Sequence, residues 1–446
     1  MAKILLDISR LVGRDPERPP SGIDRMEYAY LCHFLNQPRQ RVGFFTIRGN
    51  GFRRITWEDA YERRDDIAAN WIDRVNPDLH RRLRRFSPLM DRFVKAGERL
   101  IGERAEPVPE VKGRAMFKRG APSSILLSVS HGGIDKKGLW ENLKQRFDAR
   151  LAVYLHDLIP YHHPEFARAG EDRRHVARLE TMINTSDLVL TNSHVTAHDF
   201  KAFCAQTEQS PPPIKVLPLG VAPVYRNLKP TPHQEAVPWF IMIGTIEPRK
   251  NHNLLLAIWR RLHGILGDKT PKLILIGRRG WEIENTERIL DRCVALRDCV
   301  VELPSLSDAQ LIELLRRANA LLFPSFVEGY GLPIAEALTV GIPVICSDIP
   351  AFHEVGGDVP DFIDPLDGPK WLDTILDYAS GQSAARAAQI ERIKNYQPPS
   401  WERHFSMLEA SLARHCGLDS PAGQLAQAST AVLDAAPDPF AVTPGD

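Results

Sequence analysis

Residues 321–357 read LLFPSFVEGYGLPIAEALTVGIPVICSDIPAFHEVGG, and this stretch decides the fold. An apolar strand empties into a loop that holds Glu328, Gly329 and Gly331. The pattern predicts a helix from Pro333 with Glu336 in its first turn, then a second strand at once. A strand-to-helix crossing is where open α/β sheets bind ligands. Two carboxylates there accept hydrogen bonds from hydroxyls, and glycines let backbone N–H groups approach a phosphate. The ligand this suits is polyhydroxylated and phosphorylated.

Working outward, the same alternation repeats. Strands are expected at 239–243, 272–276, 299–302, 320–323 and 343–346, with helices at about 251–266, 283–296, 308–318 and 333–340. Buried-type strands alternating with helices predict a parallel sheet with helices on both faces. Upstream, strands are expected at 4–8, 43–47, 125–129, 151–155, 188–190 and 215–218. Ser21 and Asp24 form a capping box that opens a helix to about Leu35. Residues 57–104 read as helical, with Leu79, Leu83, Phe86, Met90, Phe93 and Leu100 at helical spacing and arginines opposite them. That basic face suits either water or an anionic membrane surface.

The expected organisation is a first Rossmann-like domain over 1–222, including the helical segment 57–120. A second follows over 223–398, then a helix over 399–416 that crosses back to the first, and a disordered tail over 417–446. With 446 residues and 43% hydrophobic content, two cores are feasible. A net charge of +1 gives no whole-chain field for nucleic acid. Six cysteines without a CxxC pair read as reduced thiols of a cytosolic protein. The start, MAKILLDIS, reads as a first strand rather than a signal peptide, and no segment nears the roughly 20 apolar residues of a membrane span.

The segment FIMIGTIEPRKNHN (240–253) repeats the logic of the opening stretch. Its strand ends at Gly244, and Arg249 and Lys250 stand beside a helix start, as a diphosphate site requires. The plainer reading is a solvated loop with surface cations. His156 and Asp157 follow the strand LAVYL, at a usual ligand position, unless the histidine only fixes its own strand end.

Glu328 and Glu336, the loop GTIEPRKN and the segment CSDIPAFHEVGGD together resemble the large retaining glycosyltransferase family 4, over about 216–366. Over 1–215 the resemblance thins to PSGIDR and HDLIP. It implies the GT-B fold, two doubly wound Rossmann-like domains facing across a cleft, with a nucleotide sugar held mainly by the second. By resemblance, Glu336 holds the ribose hydroxyls. Glu328 and the run that follows it, Gly329, Tyr330, Gly331 and Leu332, meet the donor. Lys250 matches the diphosphate lysine, assisted by Arg249. Gly244 ends the first strand of that domain, and Thr245 stands where many members carry an arginine. His156 resembles the active-site histidine, and Gly22 the glycine that lets the N-terminal loop approach donor and acceptor. Ser21 and Asp157 fall on the acceptor side, with Ser21 read mainly as a cap; His131, in SHGG, also follows a strand and either lines the acceptor side or is purely structural.

The resemblance implies metal-independent transfer of a hexose, with GDP-mannose the first donor, to a saccharide or lipid-linked oligosaccharide in surface polysaccharide assembly. No cofactor is expected beyond the nucleotide-sugar co-substrate. No Asp-x-Asp, HExxH or paired-cysteine motif suggests a metal. The alternatives are a sugar-nucleotide epimerase of similar fold and a non-catalytic nucleotide-sugar-binding scaffold.

Overall fold

A computed structural model describes residues 3–15, 18–49, 51–71, 124–226, 228 and 237–417. The expected helices over 77–102, their membrane-facing role and the disordered tail lie outside the described residues.

The first lobe contains β1 (Ile4–Asp7), α1 (Ser9–Gly13), α2 (Gly22–Leu35), β2 (Val42–Arg48), β3 (Gly51–Ile55) and α3 (Trp57–Trp71). It continues with β4 (Ser124–Ser128), α4 (Leu139–Phe147), β5 (Ala149–Leu155), α5 (Ile159–His162), α6 (Glu171–Thr185), β6 (Leu188–Thr191), α7 (His194–Gln206) and β7 (Ile214–Val216). The seven strands lie in the order β3-β2-β1-β4-β5-β6-β7. All pairings are parallel except that of β3, which returns antiparallel along β2.

The second lobe runs β8 (Trp239–Ile243), α8 (His252–Leu266), β9 (Lys272–Ile276), α9 (Glu284–Arg292), β10 (Val300–Leu303), α10 (Asp308–Leu315) and β11 (Ala320–Phe323). Then come α11 (Leu332–Val340), β12 (Val344–Ser347), α12 (Pro350–Gly356), β13 (Asp361–Ile363), α13 (Gly368–Ala379) and α14 (Ala384–Ile393). Its six strands are all parallel, in the order β10-β9-β8-β11-β12-β13. Strands β4, β8, β9, β11 and β12 are almost wholly buried, as sheets covered on both faces require.

Both sheets reverse strand order once. In the first lobe the reversal falls between β1 and β4, and in the second between β8 and β11. A crevice opens at the carboxyl ends of such a strand pair. In the second lobe those ends feed two loops, 244–250 and 324–331, which are the two stretches singled out from the sequence.

The chain crosses between lobes twice, side by side. Val221 pairs with Ser400 in a parallel bridge, and Gly220 lies so close under Trp401 that a Cβ would collide with its backbone nitrogen. From there α15 (Trp401–Cys416) packs back onto the first lobe, as expected. Tyr30 Oη meets His404 Nε2 at 2.7 Å, and His404 Nδ1 meets the Pro218 carbonyl at 2.8 Å. His33 stacks on Phe405. Tyr30, Leu408 and Leu412 belong to the largest apolar cluster, which runs through both lobes.

Two expectations are corrected. Helix α11 begins at Leu332, one residue earlier than expected, so Glu336 is its fifth residue and falls in the second turn rather than the first. Strand β3 went unforeseen, because GFRRI is an exposed edge strand without an apolar run.

Candidate active site

Glycines shape the second-lobe crevice. Gly244 leaves β8 with φ +144°, and the Lys250 side chain folds directly over it, its Cε 3.3 Å from where a Cβ would stand. Gly331 has φ +120° and forms the N-cap of α11, with Phe352 packed beneath. These backbone shapes favour glycine, and they bring the two loops together.

Where they meet, three charges form one unit. Lys250 Nζ and Glu328 Oε1 are in direct contact, and Arg249 Nη1 lies 2.5 Å from Glu328 Oε2. Arg249 Nη2 also reaches Glu247 Oε1 at 2.6 Å. Ser325 Oγ donates to Glu328 at 3.0 Å, and Phe326 N–H donates to the Arg249 carbonyl at 2.8 Å. Burial alone would push the Glu328 carboxyl up, but Arg249 and Lys250 outweigh it and hold it at about 2. Burial draws the Lys250 ammonium below its ordinary value despite Glu328. Arg249 stays firmly charged, since Glu328 and Glu247 overcome the burial that opposes it. Thr245 stands half-buried at the head of this loop.

Glu336 belongs to a neighbouring cluster. It is buried, and burial pushes its carboxyl up to about 7 against the pull of Arg25, with Asp308 raising it further. Arg25 comes from the first lobe, on the turn opened by Ser21 and Gly22. It grips Asp308 of α10 through two hydrogen bonds of 3.0 and 2.5 Å. The helix start at Gly22 therefore reaches across the cleft toward Glu336. Gly22 itself faces open space. Ser21 is absorbed by its capping box with Asp24, as expected.

On the first lobe, His156 is buried and its Nε2 lies 2.8 Å from the Val129 carbonyl, so the ring is tied to the end of β4. Burial lowers its pKa to about 4. Asp157 Oδ1 accepts the Ile159 N–H at 3.0 Å. His131 has a left-handed backbone, φ 61°, and its ring lies 5.0 Å from that of His156. His131 Nε2 is buried without a hydrogen-bond partner among the described residues.

The lobes touch at Gly329. A Cβ there would collide with the His156 carbonyl and stand 2.9 Å from Asp157 Cβ. The structure thus gathers His156, Asp157, Arg249, Lys250, Glu328 and Gly329 around one seam, with Glu336 and Arg25 alongside. Tyr330 is not presented by its side chain: it is buried, and its hydroxyl donates to the Leu219 carbonyl at 3.0 Å. Leu332 is half-buried as the first residue of α11.

Sequence reasoning missed Arg25, Asp308 and Glu247. The first two lie 283 positions apart, and no local pattern joins them. Glu247 sits inside GTIEPRKN and carried a usable signal, an acid two residues before an arginine.

Residues 226–359 match the family model described as Glycosyl transferases group 1. The chain is 33% identical over 215 residues to the serotype-specific mannosyltransferase WbdA of Escherichia coli, covering 45% of this chain and 26% of that protein. It is 35% identical over 162 residues to the O-antigen chain mannosyltransferase B of Escherichia coli, covering 36% of this chain and 42% of that protein. The chain thus spans less than half the length of these curated relatives. Among solved structures, Anabaena Alr3699/HepE in complex with UDP-glucose aligns with a TM-score of 0.58 at 14% identity, over 92% of this chain and 99% of that one. Sucrose-phosphate synthase from Thermosynechococcus elongatus aligns with a TM-score of 0.54 at 15% identity, over 97% of this chain and all of that one. Two facing lobes, each on a doubly wound sheet that is parallel but for the edge strand β3, have the GT-B fold, and most of the second lobe, residues 226–359, matches the glycosyl transferases group 1 family model.

Proposed function

We propose that this protein is a glycosyltransferase that moves a hexose from a nucleotide sugar to a saccharide acceptor with retention of configuration. The observation that carries the reading is the Lys250–Glu328–Arg249 unit at the strand reversal of the second sheet, facing His156 across the seam at Gly329. Without ligand, Glu328 and Glu247 together balance the two cations. A donor diphosphate supplies the same negative charge and takes them over. Breaking a buried ion pair is costly unless its charges find new partners, so the exchange favours a diphosphate over a neutral sugar. Glu328, released, accepts hydrogen bonds from the donor sugar's hydroxyls.

As the sugar–phosphate bond breaks, the diphosphate gains charge, which Lys250 and Arg249 stabilise in place. Same-face attack lets the departing phosphate take the acceptor proton, so no side-chain nucleophile is assigned, and Arg249 and Lys250 take the place of a divalent metal at the diphosphate. Glu336 receives the ribose hydroxyls, and His156 lies toward the transferred sugar. Ser21, His131 and Asp157 remain on the acceptor side.

GDP-mannose is the first donor, supported by the mannosyltransferase names of the relatives. The acceptor is a saccharide, lipid-linked in the fullest form of the proposal, used in surface polysaccharide assembly at the cytosolic face of a membrane. Among the described residues, no helix is long and apolar enough to cross a membrane.

Nucleotide release measured across a panel of GDP-, UDP- and ADP-sugars tests the reading. Release from GDP-mannose that accelerates with mannose-containing oligosaccharide is expected. Binding of a nucleotide sugar without release, with or without oligosaccharide, favours the scaffold, and conversion to an epimer favours the epimerase.

A further inference from the structure

The first turn of α7 makes an unusual set of contacts. It follows β6 through Thr191, Asn192 and Ser193, and all three are buried. Asn192 Nδ2 donates to the His156 carbonyl at 2.9 Å, and Thr196 Oγ1 donates to the same oxygen at 3.3 Å. Ser193 caps the helix, accepting the Thr196 N–H at 3.1 Å. The same Ser193 hydroxyl lies 2.8 Å from the Gly329 carbonyl of the other lobe, as donor. Glu354 of α12, also in the second lobe, accepts the N–H groups of His194 at 2.6 Å and Val195 at 2.7 Å.

An ordinary cap satisfies its own helix. Here one of the ligands of the helix start, the Glu354 carboxylate, comes from 160 residues away in the opposite lobe. A negative charge at a helix N-terminus is favoured by the helix dipole as well as by the two hydrogen bonds. The turn therefore holds the His156 carbonyl on one side and the Gly329 carbonyl on the other. Gly329 has no side chain to keep the lobes apart at that point. In a trans peptide the C=O and the following N–H point in opposite directions, so anchoring the Gly329 oxygen to Ser193 turns the Tyr330 N–H away from the first lobe.

We propose that Ser193 and Glu354 are positioning residues: through the first turn of α7 they set the Glu328–Gly331 loop against His156 and make donor binding depend on lobe contact. The proposal rests on the nucleotide-sugar reading and adds a route by which the first lobe shapes a site built mainly on the second. Neither residue is assigned contact with the reacting atoms.

Ser193→Ala removes the hydroxyl bridge, and Glu354→Gln removes the charge while keeping one acceptor oxygen. Each is expected to raise the KM for GDP-mannose about tenfold with kcat within about threefold of the parent. Because both act through one turn, the double variant is expected to fall short of the product of the two effects. Hydrogen exchange gives a readout that loss of stability alone does not move. In the parent, GDP is expected to protect residues 193–200 of the first lobe, and in both variants that protection is lost at a temperature where each is still fully folded, Ser193→Ala melting a few degrees lower for its lost cap. Should Ser193→Ala not fold, the half-buried Glu354→Gln decides. A KM within about twofold of the parent, or unchanged protection by GDP, overturns the proposal. If the parent binds no GDP in calorimetry, the nucleotide reading fails instead. The coupling is then read without ligand, as faster exchange over 326–331 in the variants, and equal exchange there overturns it.

Discussion

Lys250 carries the most direct test at the scale of one residue. In Lys250→Ala, Glu328 keeps Arg249 as partner, so the fold survives. The departing diphosphate loses one preorganised cation, which typically costs about 10²–10³-fold in rate. Nucleotide release at saturating donor is expected to slow by that order, with circular dichroism and melting temperature close to the parent. Glu336 gives a test in pH. Burial raises its carboxyl from 4.5 to about 7 in the folded protein. Between those values the folded state holds the proton more tightly than the unfolded chain, so this group contributes stability at low pH and loses it as pH rises through 7. The stability of Glu336→Gln relative to the parent should therefore climb from pH 5 to pH 8 in scanning calorimetry. Hydroxyl donors from a bound ribose favour the carboxylate, so GDP binding near neutral pH should release protons, seen as buffer-dependent binding heat in the parent and not in Glu336→Gln. Glu328 and Lys250 were legible because each sits in a short loop between a recognisable strand and helix. The pairing of Arg25 with Asp308 was not, although Arg25 ends the segment PSGIDR, because a contact made only in three dimensions leaves no local trace.

Among elements, the two glycine-bearing loops decide how tightly the structure can close. Gly329→Ala places a methyl group against the His156 carbonyl. The lobes must part there, so transfer should fall at least about tenfold while each lobe keeps its own core, checked by activity alongside the helical circular dichroism signal. Gly277 leaves β9 with φ +151°, and a Cβ would strike the Gly244 carbonyl. Gly277→Ala should destabilise the second lobe by about 2 kcal/mol or more in urea melts, because both strain and collision apply. Strands such as β9 and β11 could be read from their apolar runs, and α2 from its capping box. Strand β3 could not, since an edge strand with two arginines lacks the alternation that marks a half-buried face. The start of α11 was misplaced by one residue because Pro333 suits the second helical position as well as the first.

For the whole molecule, buried titratable groups oppose one another. Burial pulls His156 and His404 down to about 4 and His252 to about 3, and it lowers His131 strongly. These histidines stay neutral in the fold while the unfolded chain takes up protons below about 6.5, so they withdraw stability as pH falls. Burial raises Asp7 to about 6, Glu336 to about 7 and Glu27 to about 8, and these acids withdraw stability as pH rises. The two sets cross at about pH 6.5, where calorimetry should find the highest melting temperature, with lower values at about pH 5 and pH 8. The paired sheets were expected from alternation, and the two crevice loops from their strand-to-helix crossings, to which the family resemblance added roles. That the lobes face across a cleft came from the resemblance, but the contacts that hold them so did not, because pairs such as Arg25 with Asp308 join distant segments.

The neighbouring crossings at Val221 and Ser400 have an evolutionary and practical corollary. A segment whose entry and exit are hydrogen-bonded neighbours is a cassette, removable at a single seam. Exchanging 222–399 for the matching portion of another GT-B protein should transplant preference for the activated sugar while leaving the acceptor partner of the recipient in place.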